Sequence, residues 1–302
     1  MEKFQRIVAV DDTGIEEFVR EELRSLCGDL RMFSDDPEDE DAIIARAEGA
    51  DALLVSWRTR ISARVMDALP RLRYVGMCCS LYSEASANVD IAAARERGIG
   101  VRGVAGYGDP GVPEFIFSEL IRLFQGFGGQ RFCGEPIELT GIRLGIVGLG
   151  TTGTLTARIG EAFGMDVCWH GRHPRGDAPW PYAPLAEMLA RCDVVSAHLP
   201  RNTVVLGEEE LAAFGPDGRR VLVNTGLSPC YEKAAFRRWI EADGHFAILD
   251  GCAVPPEEQA YYRSHPRILV SGRGGSSGFT RNARARLAAK AVENLRAELA
   301  SP

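Results

Sequence analysis

The stretch Arg143-Leu144-Gly145-Ile146-Val147-Gly148-Leu149-Gly150-Thr151-Thr152-Gly153 constrains this chain more than any other. The apolar run Leu144 to Val147 reads as a buried strand. It runs directly into Gly148, Gly150 and Gly153, and a helical pattern follows at Leu155, Ile159, Ala162 and Phe163. Each glycine has a separate task. Gly148 permits the tight turn, Gly150 lets backbone approach a pyrophosphate, and Gly153 lets the helix pack close to the strand. The helix N-terminus supplies free N–H groups and partial positive charge for that pyrophosphate. With the strand before the glycines and the helix after them, the stretch predicts a dinucleotide-binding turn, with Thr151 and Thr152 in its first helical residues.

The rest of the chain reads as two α/β units. Strands are predicted at Arg6–Val10, Leu30–Phe33, Ala52–Val55, Tyr74–Met77 and Ile99–Val101. Helices at Ile15–Leu26, Ala42–Ala47, Ile61–Ala68 and Val89–Arg97 alternate with them, and the acidic segment Asp35–Asp41 is a surface turn and helix start. Such alternation implies a parallel, doubly wound sheet. A long helix over Pro110–Gln125 follows, capped by Asp109, and then a glycine-rich loop over Gly126–Pro136. The second unit adds strands at Asp166–His170, Asp193–Ala197, Arg220–Asn224, Phe246–Asp250 and Arg267–Ser271. Its helices are Leu185–Ala190, Glu208–Phe214 and Lys233–Ala242, and a terminal amphipathic helix covers Asn282–Leu299. A glycine fingerprint this late in a chain implies a cofactor domain inserted into another domain, with the last helix returning to the first.

The charge balance, 35 Lys and Arg against 42 Asp and Glu, is acidic with scattered cations, which argues against nucleic acid as a partner. No apolar run reaches the length of a membrane span, and Met1–Arg6 lacks the apolar core of a signal peptide. The eight cysteines form no CxxC pair, and the adjacent Cys78 and Cys79 suit neither a shared zinc site nor an easy disulfide. No metal site is expected, and the cysteine usage fits a reducing cytoplasm.

Taken in order, the chain resembles the D-isomer-specific 2-hydroxyacid dehydrogenase family over nearly its whole length. Leu69-Pro70-Arg71-Leu72-Arg73-Tyr74-Val75 is similar to a strand entry of that family, and so is Gly98-Ile99-Gly100-Val101 running on to Tyr107 and then Val112-Pro113-Glu114. Leu139 to Gly150 is similar to its "LxGKTLGIIGLG" run, and His198-Leu199-Pro200 with Thr203 to its "HxPLTxxT". Asn224-Thr225-Gly226 stands where the family has "NxARG", and Leu249-Asp250 where it has "LDV". The resemblance implies a flavodoxin-like substrate domain, residues 1–106 with 274–302, around an inserted Rossmann domain, residues 107–273. It further implies an active cleft between the domains, a homodimer, and NAD(P)H-dependent reduction of 2-keto acids or the reverse.

The family's proton chemistry uses an arginine, a carboxylate and a histidine. Matched residue by residue, those positions hold Leu227, Pro255 and Arg273. His265 stands before the last strand, at the end away from the cleft. Arg273 is a poor general acid but a good clamp for a carboxylate or an oxyanion. Tyr107 and Asp109 lie where the domain-crossing segment faces the nicotinamide in the family, so Arg273, Asp109 and Tyr107 are the catalytic candidates. Asp109 also reads as a plain helix cap. The turn after the fourth strand, Cys78 to Glu84, is bulkier than the family's, and Cys79 and Ser80 are its substrate candidates, with Arg58 after the third strand. Tyr82 and Glu84 also line the expected cleft wall.

Past the second strand of the cofactor unit stands His170-Gly171-Arg172-His173-Pro174-Arg175, with no acid to bind ribose hydroxyls. An arginine there binds a 2′-phosphate that an acid would repel. NADP(H) is therefore expected over NAD(H), with Arg172 the main contact and His170, His173 and Arg175 around it. Leu199, Pro200, Asn224, Thr225, Gly226 and Asp250 complete the expected cofactor site. The leading expectation is an NADP(H)-dependent oxidoreductase moving hydride to or from a C=O or C=N carbon of a small, anionic metabolite, with non-standard acid–base residues. A non-catalytic NADP(H)-binding sensor is the rival from another class. A conventional 2-hydroxyacid dehydrogenase with displaced catalytic residues is the third.

Overall fold

The computed structural model describes residues 3–81, 83–215, 218–271 and 276–301. In chain order its first elements are β1 (Phe4–Ala9), α1 (Glu16–Leu26), β2 (Cys27–Met32), α2 (Glu40–Arg46), β3 (Ala52–Val55), α3 (Ala63–Asp67), β4 (Tyr74–Met77), α4 (Ile91–Glu96) and β5 (Gly100–Arg102). Next come α5 (Gly111–Gln125), β6 (Arg143–Val147), α6 (Thr151–Ala162), β7 (Asp166–His170), α7 (Leu185–Arg191), β8 (Val194–Ala197), α8 (Glu208–Ala213) and β9 (Arg220–Asn224). The chain ends with α9 (Lys233–Glu241), β10 (His245–Leu249), α10 (Gln259–Ser264), β11 (Ile268–Val270) and α11 (Arg281–Leu299). These elements form two compact units, Met1–Tyr107 with Arg281–Pro302, and Gly108–Thr280. Tyr107 therefore falls in the first unit and residues 276–280 in the second, each on the other side of the boundary that the sequence suggests.

The first unit is a five-stranded parallel sheet in the order β2-β1-β3-β4-β5, the flavodoxin-like winding. Strands β3 and β4 are buried at every position, as the unbroken apolar run Ala52–Val55 requires. Helix α1 buries Val19, Leu23 and Leu26, one stripe at helical spacing. The acidic loop ends in a cap: the Asp39 carboxylate accepts from the Ala42 N–H, while Ser62 and Asp90 cap α3 and α4 in the same way.

Helix α11 holds the end of this unit by a ladder of side chains. Arg286 Nε donates to the Tyr107 carbonyl at 2.8 Å, Lys290 Nζ to Ala105 at 2.7 Å, and Asn294 Nδ2 to Gly103 at 3.1 Å. Glu298 then accepts from Arg102 at 3.3 Å. For the step from Asn294 and Gly103 to Lys290 and Ala105 the spacing is geometric: four helical residues rise about 6 Å, close to the roughly 6.6 Å of two extended residues.

The second unit is a six-stranded parallel sheet in the order β11-β10-β9-β8-β6-β7. The chain leaves β6 first to one side and then to the other, so the strand order reverses between β6 and β8. One face buries Leu189, Leu211, Phe236 and Tyr262. The other buries Ile116, Leu120, Phe124 and Trp169. The glycine-rich loop after α5 is pinned: Phe132 stacks on Phe124 with centroids 4.4 Å apart, and its N–H donates to the Leu123 carbonyl. Helix α10, absent from the sequence reading, is too short to show an apolar period.

Helix α6 corrects the sequence reading most directly. Its buried face is Gly153, Thr156, Ala157 and Gly160, not the Leu155–Ile159–Ala162–Phe163 stripe. Phe163 is 41% exposed and lies over Phe117. The reason is proximity to β6. A Cβ on Gly153 would lie 2.1 Å from the Gly148 carbonyl oxygen, and one on Gly160 would lie 2.6 Å from Leu144 Cδ2. Alanine in place of glycine inside a helix ordinarily stabilises by roughly 0.5–1 kcal/mol. Gly153→Ala is expected to reverse that sign and destabilise this unit by about 1–3 kcal/mol through overpacking. Gly150→Ala, where nothing lies within 4 Å, should leave the unfolding midpoint nearly unchanged in the same thermal scans.

His245, at the start of β10, is buried and stacks on Trp239 at 4.5 Å and 3°. Its Nδ1 has no partner, and burial, aided by Arg220 and Arg267, pushes its pKa down to about 4. The unfolded chain therefore takes up a proton between about pH 6.5 and 4 that the folded unit refuses, and stability falls as pH drops through that window. His245→Phe keeps the ring stack and should remove about 1–2 kcal/mol of the loss between pH 7 and 5. Tryptophan fluorescence reads this, because Trp169, Trp180 and Trp239 all lie in this unit.

Candidate functional site

In parallel sheets of this kind ligands bind beyond the carboxyl ends of the strands, where the strand order reverses. In the second unit that place is the junction of β6 and β8, and the glycine turn occupies it. Gly148 has φ +94°, and a Cβ there would lie 2.4 Å from the His198 carbonyl oxygen at the end of β8 and 3.2 Å from Leu199 Cδ2. The turn is thus pressed against the strand across the reversal. Gly150 begins α6 with no side-chain cap and open space in front of it. Thr151 is exposed, and the first free N–H groups of α6 lie on this open side. Such a cradle fits a pyrophosphate: backbone donors, a helix N-terminus and no Cβ in the way.

Asp109 does not cap α5. That helix begins at Gly111 with Pro110 at the cap position, which makes no side-chain cap bond. The Asp109 carboxylate instead accepts from the Thr152 hydroxyl at 3.1 Å, in the first turn of α6. Residue type alone suggests a cap because the true partner is 43 residues away.

At the end of β7 the His170 ring Nδ1 lies 3.0 Å from the Ala183 carbonyl. Arg172 and His173 are exposed, and among the described residues Arg172 makes no ion pair. Arg175 is already engaged. Its Nη2 donates to the Leu149 carbonyl inside the glycine turn at 2.9 Å, and its guanidinium lies over Trp169 at 5.4 Å. The sequence grouped Arg175 with Arg172, whereas the fold gives it the task of bracing the turn.

The polar residues beyond β8, β9 and β10 are mostly satisfied within the chain. Asn224 Oδ1 accepts from the Gly226 N–H, and its Nδ2 donates to the Ser228 carbonyl. Asp250 is fully buried. One of its oxygens accepts from the Cys252 N–H, and the other from Ser276 Oγ and from the N–H and Oγ of Ser277 at 2.6 Å each. It anchors the segment that leaves the unit. Thr225 Oγ1 and His198 Nδ1 are buried without partners at these strand ends. His198 Nε2 lies 2.9 Å from Ser196 Oγ, and burial pushes its pKa down to about 4, so the ring is neutral near neutral pH. Pro200 is exposed beside Leu199.

The described catalytic and substrate candidates fall in both units. Arg273 and Tyr82 lie outside the described residues. In the first unit the Tyr107 carbonyl is held by Arg286. Arg58 does not offer a free cation. It grips Asp36 through Nε at 2.7 Å and Nη2 at 2.9 Å and also donates to the Asp12 carbonyl. Cys79 is buried in the core with its Sγ 3.5 Å from Asn88 Oδ1, so its side chain is packing; Ser80 beside it is half-buried. Glu84 pairs with Arg95. His265 caps the end of α10, before β11, with Nδ1 accepting from the Arg267 N–H, which places it at the opposite end of the sheet from the glycine turn. The carboxylates that follow Asp250, Glu257 and Glu258, are paired with Lys233 and Arg237.

Residues 125–272 match the D-isomer specific 2-hydroxyacid dehydrogenase NAD binding domain. A glyoxylate reductase of Aeropyrum pernix is 28% identical over 86% of this chain and 83% of its own length. A Thermus thermophilus protein of known structure is 27% identical, with a TM-score of 0.79 over 98% of this chain and 97% of that one. An acyclic imino acid reductase solved with NADPH and D-Arg shares the fold, with 22% identity, a TM-score of 0.81 and coverage of 98% and 97%. With a nicotinamide-dinucleotide-binding domain in its second unit, this chain belongs to the D-isomer specific 2-hydroxyacid dehydrogenase family of oxidoreductases.

Proposed function

We propose that the protein is an NADP(H)-dependent oxidoreductase that moves hydride to or from the C=O or C=N carbon of a small, anionic metabolite, with non-standard acid–base residues. The observation that carries the cofactor preference is the end of β7, where an exposed, unpaired Arg172 stands in place of an acid. A guanidinium binds a 2′-phosphate by charge-assisted hydrogen bonds, and no acid stands among residues 170–175 to repel it. Gly148, Gly150 and Gly153 hold the pyrophosphate through backbone, and Arg175 keeps the turn in shape. When bound, the nicotinamide supplies or accepts the hydride.

The relatives named as glyoxylate and hydroxypyruvate reductases support a 2-keto acid as the substrate class. An imine is compatible with the same fold and demands less of a strong general acid. Arg273 is assigned to clamp the substrate's carboxylate or developing oxyanion, and Asp109 or Tyr107 to handle the proton. Leu227 and Pro255 stand where the family's arginine and carboxylate are expected, so the usual trio is replaced. A cofactor sensor without turnover is the second reading, favoured by Asp109 and Arg58 already being engaged within the chain.

Fluorescence titration tests the cofactor preference that both readings share. NADPH should bind at least about tenfold more tightly than NADH, a difference of roughly 1.4 kcal/mol. Arg172→Ala should bring NADPH down to the NADH level and leave NADH unchanged, while Gly150→Ala weakens both. Equal affinities in the unaltered protein would end the claim of NADP preference. A panel of 2-keto acids and imines, followed by NADPH oxidation, tests catalysis. Asp109→Asn should then lower kcat at least about tenfold if Asp109 moves the proton.

A further inference from the structure

The second unit holds a thiol pair that the dinucleotide site does not use. Cys168 on β7 and Cys192 at the end of α7 stand with their sulfurs 3.6 Å apart, although 24 residues separate them in sequence. Glycine makes room for them. Gly145 on β6 pairs in register with Cys168, and a Cβ there would lie 3.2 Å from Cys192 Sγ and 2.6 Å from Met188. The two cysteines are not equivalent. Cys192 is 2% exposed, whereas Cys168 is only half-buried.

We propose that Cys168 and Cys192 form a reversible redox site that takes small disulfides of the glutathione class. Cys168 is the attacking thiol and Cys192 the resolving one. The Cys168 thiolate attacks one sulfur of the small disulfide, forming a mixed disulfide and expelling one thiolate. Cys192 then loses its proton and attacks Cys168 Sγ, closing the Cys168–Cys192 bond and expelling the second thiolate. Two protein thiols are oxidised, one small disulfide is reduced to two thiols, and the two protons leave with them. The sulfurs must move from 3.6 Å to a bonded separation of about 2.05 Å, a change that side-chain rotation and a small backbone shift supply. The division of labour follows from the surroundings. The Cys192 S–H donating to Cys168, with Arg191 nearby, lowers the Cys168 pKa against burial and the opposing charge of Asp166. The neighbouring Cys168 thiolate and burial raise that of Cys192.

The test uses the full chain, reduced and then incubated folded with glutathione disulfide, alkylated and digested with trypsin without reductant. The expected product links the peptide carrying Cys168 to the one beginning at Cys192, with two of the eight thiols lost and both recovered by dithiothreitol. Cys192→Ser should stop at a glutathione adduct on Cys168, and Cys168→Ser should leave Cys192 unmodified. A wild-type digest in which Cys168 stays free, carries a lasting glutathione adduct, or is joined to a different cysteine would overturn the proposal. That readout needs neither dinucleotide nor activity, so its failure is separate from any failure of the proposed function.

Discussion

The close approach of helix α6 to strand β6 is the constraint from which the second unit is built. With a carbonyl oxygen 2.1 Å from where a Gly153 Cβ would stand, no other residue lets the helix start where it does. That position fixes the N-terminus of α6 at the end of β6, and the left-handed Gly148 presses the intervening turn onto the end of β8. Leu144 fills the notch left by Gly160, so the same glycine spacing that shapes the binding turn also sets the packing beneath it. Site and core are therefore two sides of one contact. A change that moves the helix outward by the size of a methyl group would displace the backbone donors along with it.

Strand runs and element order were legible because they depend on local patterns. Ala52–Val55, Tyr74–Met77, Asp166–His170 and Arg220–Asn224 carry the same limits in the sequence reading and in the fold. The face of α6 was not legible, because an amphipathic reading assumes that large apolar residues point inward. Where a helix lies unusually close to its sheet, small residues point inward instead and Phe163 is left outside. The partners of charged groups were equally hidden. Asp109 finds Thr152, Arg58 finds Asp36, and Asp250 finds Ser276 and Ser277, at separations in sequence that no local rule reaches. Asp250 is the most instructive of the three. Its place in the motif resembles a ligand contact, yet its buried carboxylate is filled by donors from its own chain, as a charge sealed from water requires.

The first unit shows a different kind of hidden regularity. Arg286, Lys290, Asn294 and Glu298 recur every fourth residue on α11 and meet residues 107, 105, 103 and 102. As sequence this is an ordinary polar stripe, and a search for apolar periodicity does not register it. As structure, Arg286, Lys290 and Asn294 satisfy the backbone carbonyls of residues 107, 105 and 103 past the end of β5, and Glu298 takes the Arg102 side chain instead. At the three carbonyls, side chains of three chemical types serve equally because the requirement there is only for a donor at the right height.

The charges around the glycine turn divide by availability more than by identity. Arg172 and Arg175 are three residues apart and both exposed, and a sequence reading has no ground for ranking them other than position. Arg175 would have to release the Leu149 carbonyl and leave the Trp169 ring before it could turn to another anion, and in doing so would loosen the turn that holds the pyrophosphate. Arg172 gives up only water. If the cofactor is NADP(H), as proposed, a 2′-phosphate at the end of β7 would meet Arg172 at lower cost, while Arg175 would contribute by staying where it is. The same logic bears on His170, whose Nδ1 is turned to the Ala183 carbonyl, leaving Nε2 as the nitrogen free to face a ligand. Under the proposed NADP(H) preference, selectivity at this edge would rest on one unengaged guanidinium in the loop after β7, beside an Arg175 occupied in keeping the turn in place.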